Sequence, residues 1–249
     1  MPESVRPSDR PGERRGAART SLVWEALLAD LGGADAASGS RDVLDIGGGT
    51  GGFAVRLAER GHRVRVVDPS PDALAALDRR AREARVEVAG QQGDVSSLLG
   101  VVGPDSADVV LCHGVLEVVD DAAAALATIR TVLRPGGTLS LLVAQRHAAV
   151  VARAMAGHFT QALALLDDPT AGGSRAGRRF TEDEVRALLT GAGFEVAAVH
   201  GIRIFADLVP GSLLDLEPGA GAALLDLERA VAERSEFRPL ATQLHLLAR

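Results

Sequence analysis

No lysine and no tyrosine occur in this chain, cysteine occurs once, and aromatics make up only 3% of it. Each scarcity excludes something. With Cys112 alone, no disulfide can form within the chain, which fits a reducing compartment. All 27 basic residues are arginine, so the choice of arginine over lysine at any one position carries little functional meaning. With so much alanine and glycine, that bias looks like GC-rich coding. No apolar run approaches the ~20 residues of a bilayer span. The charged N-terminus is not followed by the apolar stretch of a signal peptide. A net charge of −6 does not advertise nucleic-acid binding through bulk electrostatics. The expectation is a cytoplasmic protein with no membrane association, and no metal ligand set is expected.

What is present is a chain of 249 residues, 47% of them hydrophobic, long enough to bury a substantial core. Residues 1–19 read as a flexible segment, because 1–16 are rich in Pro, Arg, Asp, Glu and Gly. Residues 20–249 read as a single domain. Helical spacing over 20–31 gives an N-terminal helical extension, stopped by Gly32-Gly33.

The organising stretch is Val43-Leu44-Asp45-Ile46-Gly47-Gly48-Gly49-Thr50-Gly51-Gly52. An apolar run carrying one acid enters a cluster of glycines, and a helical pattern follows at Phe53, Val55, Leu57 and Ala58. This is a strand, a tight turn and a helix start, which suits a nucleotide-like ligand. The spacing is ambiguous: Gly47, Gly49 and Gly52 satisfy G-x-G-x-x-G, while Asp45, Gly47, Gly49 and Gly51 satisfy D-x-G-x-G-x-G. Asp45 inside a strand is costly unless it has a role there. Asp68 ends the next apolar run, Val64 to Val67, where a ribose-binding acid is expected.

Further along, Ser70-Pro71 starts a helix, and Val86 to Val88 forms a short third strand. Gln91 to Asp94 leave its end. Asp108 to Cys112 make a fourth strand, with His113 beyond it. Asp120 or Asp121 caps a helix to Leu133. Arg134-Pro135-Gly136-Gly137 turns into a fifth strand, Thr138 to Val143. His147 to Leu166 reads as one long helix, and Thr181 to Glu184 as a capping box. Phe194 to Val199 and Leu240 to Leu247 are two more strands, around a Leu/Ala helix near Leu224 to Val231. Strands alternating with helices predict an α/β, doubly wound, seven-stranded, mostly parallel sheet. Its ligand should lie beyond the carboxyl ends of the strands, where Asp45, Gly47, Asp68, Asp94 and His113 converge.

An acid before the glycines and another after the second strand resemble the class I S-adenosylmethionine (SAM) methyltransferases, with a Rossmann-like fold. A narrower likeness covers nearly the whole chain. Arg15-Gly16, Arg19, Trp24, His113…Val115-Leu116-Glu117, Leu133 to Gly137, His147, Gly201…Arg203…Phe205…Asp207 and His245 resemble the bacterial tRNA 5-carboxymethoxyuridine methyltransferases. The resemblance implies SAM as cofactor and a methyl acceptor in tRNA. It implies SAM contacts at Arg19, Asp68 and His113, at Gly47, Gly48 and Gly49, and at Gly93-Asp94 with the Val95 backbone. Asp45 would orient the turn or meet the methionine ammonium. His113 would also be the catalytic candidate, and His147 and Arg203 would lie on the substrate side. Where the family ends its fifth strand in an aromatic and an asparagine, this chain has Ala144-Gln145.

Plainer readings stand beside these. Asp68 could cap a helix, Asp94 could be a solvated loop acid, and His113 could be a satisfied histidine at a strand end. A carboxylate acceptor needs no general base; a hydroxyl or amine would make His113 or His147 a candidate base. A small-molecule O- or N-methyltransferase and a non-catalytic SAM-binding module are the alternatives.

Overall fold

The computed structural model describes residues 11–32, 39–171, 177–215 and 218–249, with only the backbone of 11–20 and of Asp215. Seven strands form one sheet: β1 Asp42–Ile46, β2 Arg63–Asp68, β3 Val88–Gln92, β4 Ala107–His113, β5 Leu133–Ala144, β6 Val196–Ile202 and β7 Gln243–Ala248. Their spatial order is β3-β2-β1-β4-β5-β7-β6. The first five strands run parallel, and β7 inserts antiparallel between β5 and β6. This is the mostly parallel, doubly wound sheet that the alternating pattern predicts.

The apolar alternation splits the core between the two faces. Val43, Val64, Val66, Val109 and Leu111 pack with Trp24, Leu27, Leu57 and Leu77, carried by α1 (Pro11–Asp30), α2 (Ala54–Glu59) and α3 (Pro71–Ala84). Leu44, Ile46, Val110, Cys112, Leu139 and Leu141 pack on the other face. They meet α4 (Leu98–Val102), α5 (Ala122–Val132) and α8 (Glu182–Gly191) through Leu98, Leu126, Ile129, Val185 and Leu189. Strands buried on both faces have to be apolar on both, as β4 and β5 are.

Several boundaries differ from the sequence reading, three of them for one reason. Val86 donates to Ala81 O, His158 to Arg153 O and Phe194 to Leu189 O, at 3.0, 2.9 and 2.9 Å. Each follows a residue in the left-handed conformation: Arg85, Gly157 and Gly193. These are Schellman-type closures, in which the residues after a helix satisfy its last carbonyls. Val86 is therefore spent on α3, and β3 begins at Val88 and takes in Gln91 and Gln92. The expected long helix from His147 is two, α6 (Arg146–Met155) and α7 (Phe159–Asp167). Phe194 closes α8, and β6 begins at Val196.

The expected turn Arg134 to Gly137 is an outward loop within β5: Leu133 pairs with Ala107, and Thr138 already pairs with Val109. β7 begins at Gln243 because Arg238–Leu240 form a 3₁₀ turn. At the other end α1 starts at Pro11, a residue suited to a first helical turn, nine residues before the expected start at 20. The remainder of the segment read as flexible, residues 1–10, lies outside the described residues.

Candidate functional site

The glycine turn joins β1 to α2, and its backbone decides between the two spacings. Gly47, Gly49 and Gly51 all have positive φ, whereas Gly52 does not. Gly51 is buried, and a Cβ there would run into Leu77 Cδ1. The D-x-G-x-G-x-G reading therefore matches the turn's geometry. Gly48 is required for a different reason: a Cβ on it would stand 2.5 Å from Asp45 Oδ2. The buried acid and the glycine above it form one unit.

Asp68 ties three segments together. Its Oδ2 accepts from Gly49 N–H at 2.9 Å and its Oδ1 from Ser70 N–H at 2.8 Å. Its carbonyl accepts from Gly93 N–H at 3.2 Å. The helix cap on α3 is made by Ser70, which accepts from Ala73 N–H, so Asp68 is not that cap. Each Asp68 oxygen retains acceptor capacity for a ligand hydroxyl. Asp94 is engaged locally. Its Oδ1 accepts from Ser96 Oγ–H at 2.6 Å and Ser97 N–H at 3.0 Å, and these bonds hold its carboxyl below the usual carboxylate range. Asp45 is pushed the other way, up to about 7, first by burial and then by the neighbouring Asp68 carboxylate.

Two chambers open at the carboxyl ends of the strands. The larger, about 610 Å³, is lined by Asp68, Asp94, Val95, Val115 and Val118, and by α5 residues such as Ala124 and Thr128. The smaller, about 330 Å³, is lined by Asp45, Gly48, Phe53, Arg56, Leu142 and Gln243. Gly47, His113 and Gly114 line both and form the waist between them. His113 is held from three sides: Phe53 meets its ring edge-on with centroids 5.1 Å apart, Ser140 Oγ lies 2.9 Å from its Nε2, and His245 packs at 6.1 Å.

Asp45, Gly47, Gly48, Asp68, Asp94, Val95 and His113 thus come together around the two chambers, and Gly49 and Gly93 join them through Asp68. His147 and Arg203 do not line either chamber. His147 is exposed at the start of α6. Arg203 lies beyond β6 in the left-handed region (φ 57) and pairs with Asp207 at 3.3 Å. Arg19 lies on α1, and its side chain is outside the described residues. An RNA acceptor would call for arginines clustered at the mouth of the site, near the start of the chain and at Arg175, Arg178 and Arg179; of these the side chains of Arg14 and Arg15 are outside the described residues too, as are Arg6, Arg10 and Arg175 altogether.

The sequence reading missed Phe53 and Arg56 as site residues, and met Gln243 only as a departure from the family's tyrosine-rich C-terminal segment. The Arg56 guanidinium stacks 4.0 Å over the Trp24 ring at the rim of the smaller chamber. Phe53 and Arg56, three apart at the start of α2, could have been found from helical spacing next to the glycine turn. Gln243 carries no such signal, since it reaches the site only through the pairing of Ala144 with Gln243.

A methyltransferase-domain family pattern matches residues 44–141. The chain is 30% identical to the tRNA 5-carboxymethoxyuridine methyltransferase of Escherichia coli (strain K12), over 96% of this chain and 90% of that protein. It is 35% identical to the ubiquinone biosynthesis O-methyltransferase of Aeromonas salmonicida, over 42% of this chain and 44% of that one. Among solved structures it resembles the magnesium protoporphyrin IX methyltransferase of Synechocystis PCC 6803 with bound SAH. There the TM-score is 0.64 and the identity 18%, covering 98% of this chain and 89% of that one. Among the described residues, no helix is long and apolar enough to cross a membrane.

Proposed function

This chain belongs to the SAM-dependent methyltransferases, and on that premise we propose that it methylates a carboxylate borne by a modified wobble uridine of tRNA. Bound SAM supplies a methyl group already activated by its sulfonium. The two chambers match the two ends of that donor. Asp68 would accept from the ribose hydroxyls, and Asp94 with the Val95 backbone would face the adenine. Gly49 leaves room for close backbone approach beside Gly47 and Gly48, and buried Asp45 would meet the methionine ammonium. Arg19 would pair with the methionine carboxylate. The waist at Gly47, His113 and Gly114 is where the methyl-bearing end would meet an acceptor entering past Leu142 and Gln243.

The observation that carries the acceptor reading is the reach of the likeness. Similarity to the tRNA-modifying relative covers 96% of the chain, well beyond the stretch matched by the methyltransferase-domain pattern. Similarity to the quinone O-methyltransferase covers less than half of the chain. The chemistry agrees: a carboxylate is anionic at pH 7 and needs no base, only placement at about 3–3.5 Å and in line with the methyl. Arg178 also lies near the site, since its backbone N–H donates to the Glu117 carbonyl at 2.8 Å, beside chamber-lining Val118.

Nucleoside mass spectrometry of tRNA from a deletion strain tests this: the methyl ester should vanish and the free carboxylate accumulate. An unchanged nucleoside profile would transfer the assignment to a small-molecule acceptor. The net charge of −6 and the substitution of Ala144-Gln145 favour that second reading. Radiolabelled SAM that binds without turnover on either acceptor class would leave only a binding module.

A further inference from the structure

Behind His113 a chain of polar side chains crosses the interior of the sheet. His113 Nε2 lies 2.9 Å from Ser140 Oγ on β5, which lies 2.8 Å from His245 Nε2 on β7. Ser140 and His245 are wholly buried. The strand register builds this contact: Leu142 lies abreast of His113 on one side and His245 on the other, and Ser140 sits two residues back on the same face. His245 in turn stacks on His200 of β6, with centroids 5.4 Å apart and planes 24° apart. The surroundings are apolar, with Leu22, Val23, Leu142, Ile202 and Phe53 packed together over this part of the sheet. Such a polar chain costs free energy unless it is satisfied.

We propose that Ser140 and His245 are positioning residues that fix the ring of His113 and make it a hydrogen-bond donor, not a base, toward the reaction centre. This rests on the reading above that His113 faces the reacting groups. Counting protons along the chain leads there. A serine hydroxyl carries one proton, so between two neutral imidazoles it donates to one Nε2 and accepts from the other. Burial, with the His113 and His200 rings beside it, keeps His245 far below the ordinary histidine range and therefore neutral. His245 Nδ1 is buried and makes no hydrogen bond among the described residues. Orphaned buried N–H groups are rarer than orphaned acceptors, so the His245 proton sits on Nε2 and is donated to Ser140 Oγ. Ser140 then donates its own proton to His113 Nε2. Neutral His113 is left with its proton on Nδ1 and its Nε2 lone pair occupied by the Ser140 hydroxyl, so neither nitrogen is free to remove a proton from an acceptor. That matches a carboxylate acceptor, which has no proton to lose.

The test uses the full-length protein. Nitrogen-15 NMR of the histidine rings should show neutral His113 as the Nδ1–H tautomer, and Ser140→Ala should abolish that preference. Ser140→Ala and His245→Phe should lower kcat about tenfold or more, the scale on which orienting partners act, with KM for SAM changed less than about threefold. His245→Gln, which keeps a donor N–H, should restore most of kcat. An Nε2–H tautomer for His113 in the unaltered protein overturns the proposal, as does wild-type kcat in Ser140→Ala. His113→Gln with full turnover would defeat the reading of His113 itself, and the tautomer would still decide whether Ser140 and His245 set its proton.

Discussion

The two halves of the sheet use buried acids in opposite ways. At the ends of β1 and β2, Asp45 and Asp68 are nearly buried yet line open chambers. On the side of β6 and β7, Glu228 of α9 (Ala220–Val231) is fully buried, and its carboxylate is consumed within the protein. It accepts from the backbone N–H groups of Ile204, Phe205 and Ala206 at 2.9, 2.8 and 2.7 Å. Gln145 behaves likewise, bonding Pro239 and Arg238 carbonyls and the Ala148 N–H. One half holds polar groups in reserve for a ligand; the other spends them on irregular backbone. The difference teaches that burial of an acid alone does not point to a site, whereas burial beside an open chamber marks a candidate one.

The largest effect expected from breaking this contrast is at Glu228. Glu228→Ala orphans three backbone donors at roughly 1–3 kcal/mol each, and relaxation recovers part of that, so a loss of about 3–5 kcal/mol is expected. Urea denaturation would measure it; a loss below that of Asp68→Ala would erase the distinction. Asp68→Ala comes next and should act on the ligand: SAM affinity falls by roughly 1.5–3 kcal/mol, typical of charge-assisted bonds. Calorimetric titration with unchanged affinity would remove Asp68 from the site.

Smaller still is the pH effect at Asp45. Its pKa in the folded protein, raised to about 7, lies above the unfolded value. Stability from its protonated form is present below about pH 4 and is lost as pH rises through about 7. The ligand-free protein should therefore weaken over this interval. SAM affinity should rise over the same interval, by at most about tenfold per pH unit, because an ammonium favours the ionised carboxylate. It should fall again above about pH 8 as the ammonium deprotonates. Asp45→Asn should flatten the rising limb, and a variant that keeps it would locate the titration elsewhere.

The same contrast separates what is legible in the amino-acid sequence from what is not. The cofactor half is local chemistry: an acid and glycines within seven residues, Ser70 and Asp121 as caps, an acid ending a strand. The helix starts were legible because the capping side chain stands in the sequence, as with Thr181 and Glu184. The helix ends were not, because Arg85 adopts a glycine-like φ and Val86 is drawn from strand to cap. The half proposed to meet the acceptor is assembled from distant pieces. Gln243 enters the chamber only through a β5–β7 register, and His245 meets Ser140 across 105 positions.

Arg203 offers the smallest effect and the finest cut. Its φ of 57 is a conformation that costs a side chain about 1–2 kcal/mol and glycine little. Its carbonyl accepts from Thr242 N–H at 3.3 Å and Thr242 Oγ–H at 3.2 Å, and Thr242 Oγ1 also meets Asp207, the ion-pair partner of Arg203. Thr242 directly precedes Gln243. On the proposed acceptor reading, Arg203 would act on the acceptor through the segment that presents Gln243. Arg203→Gly removes the guanidinium and relieves the backbone together. Stability should change by less than about 1 kcal/mol, the relief offsetting the lost ion pair. Turnover should fall less than about tenfold through KM for the acceptor, within the roughly 1.4 kcal/mol that one such contact supplies. Calorimetry should show SAM binding intact. A gain in stability with acceptor KM unchanged would make Arg203 a strained turn residue and nothing more.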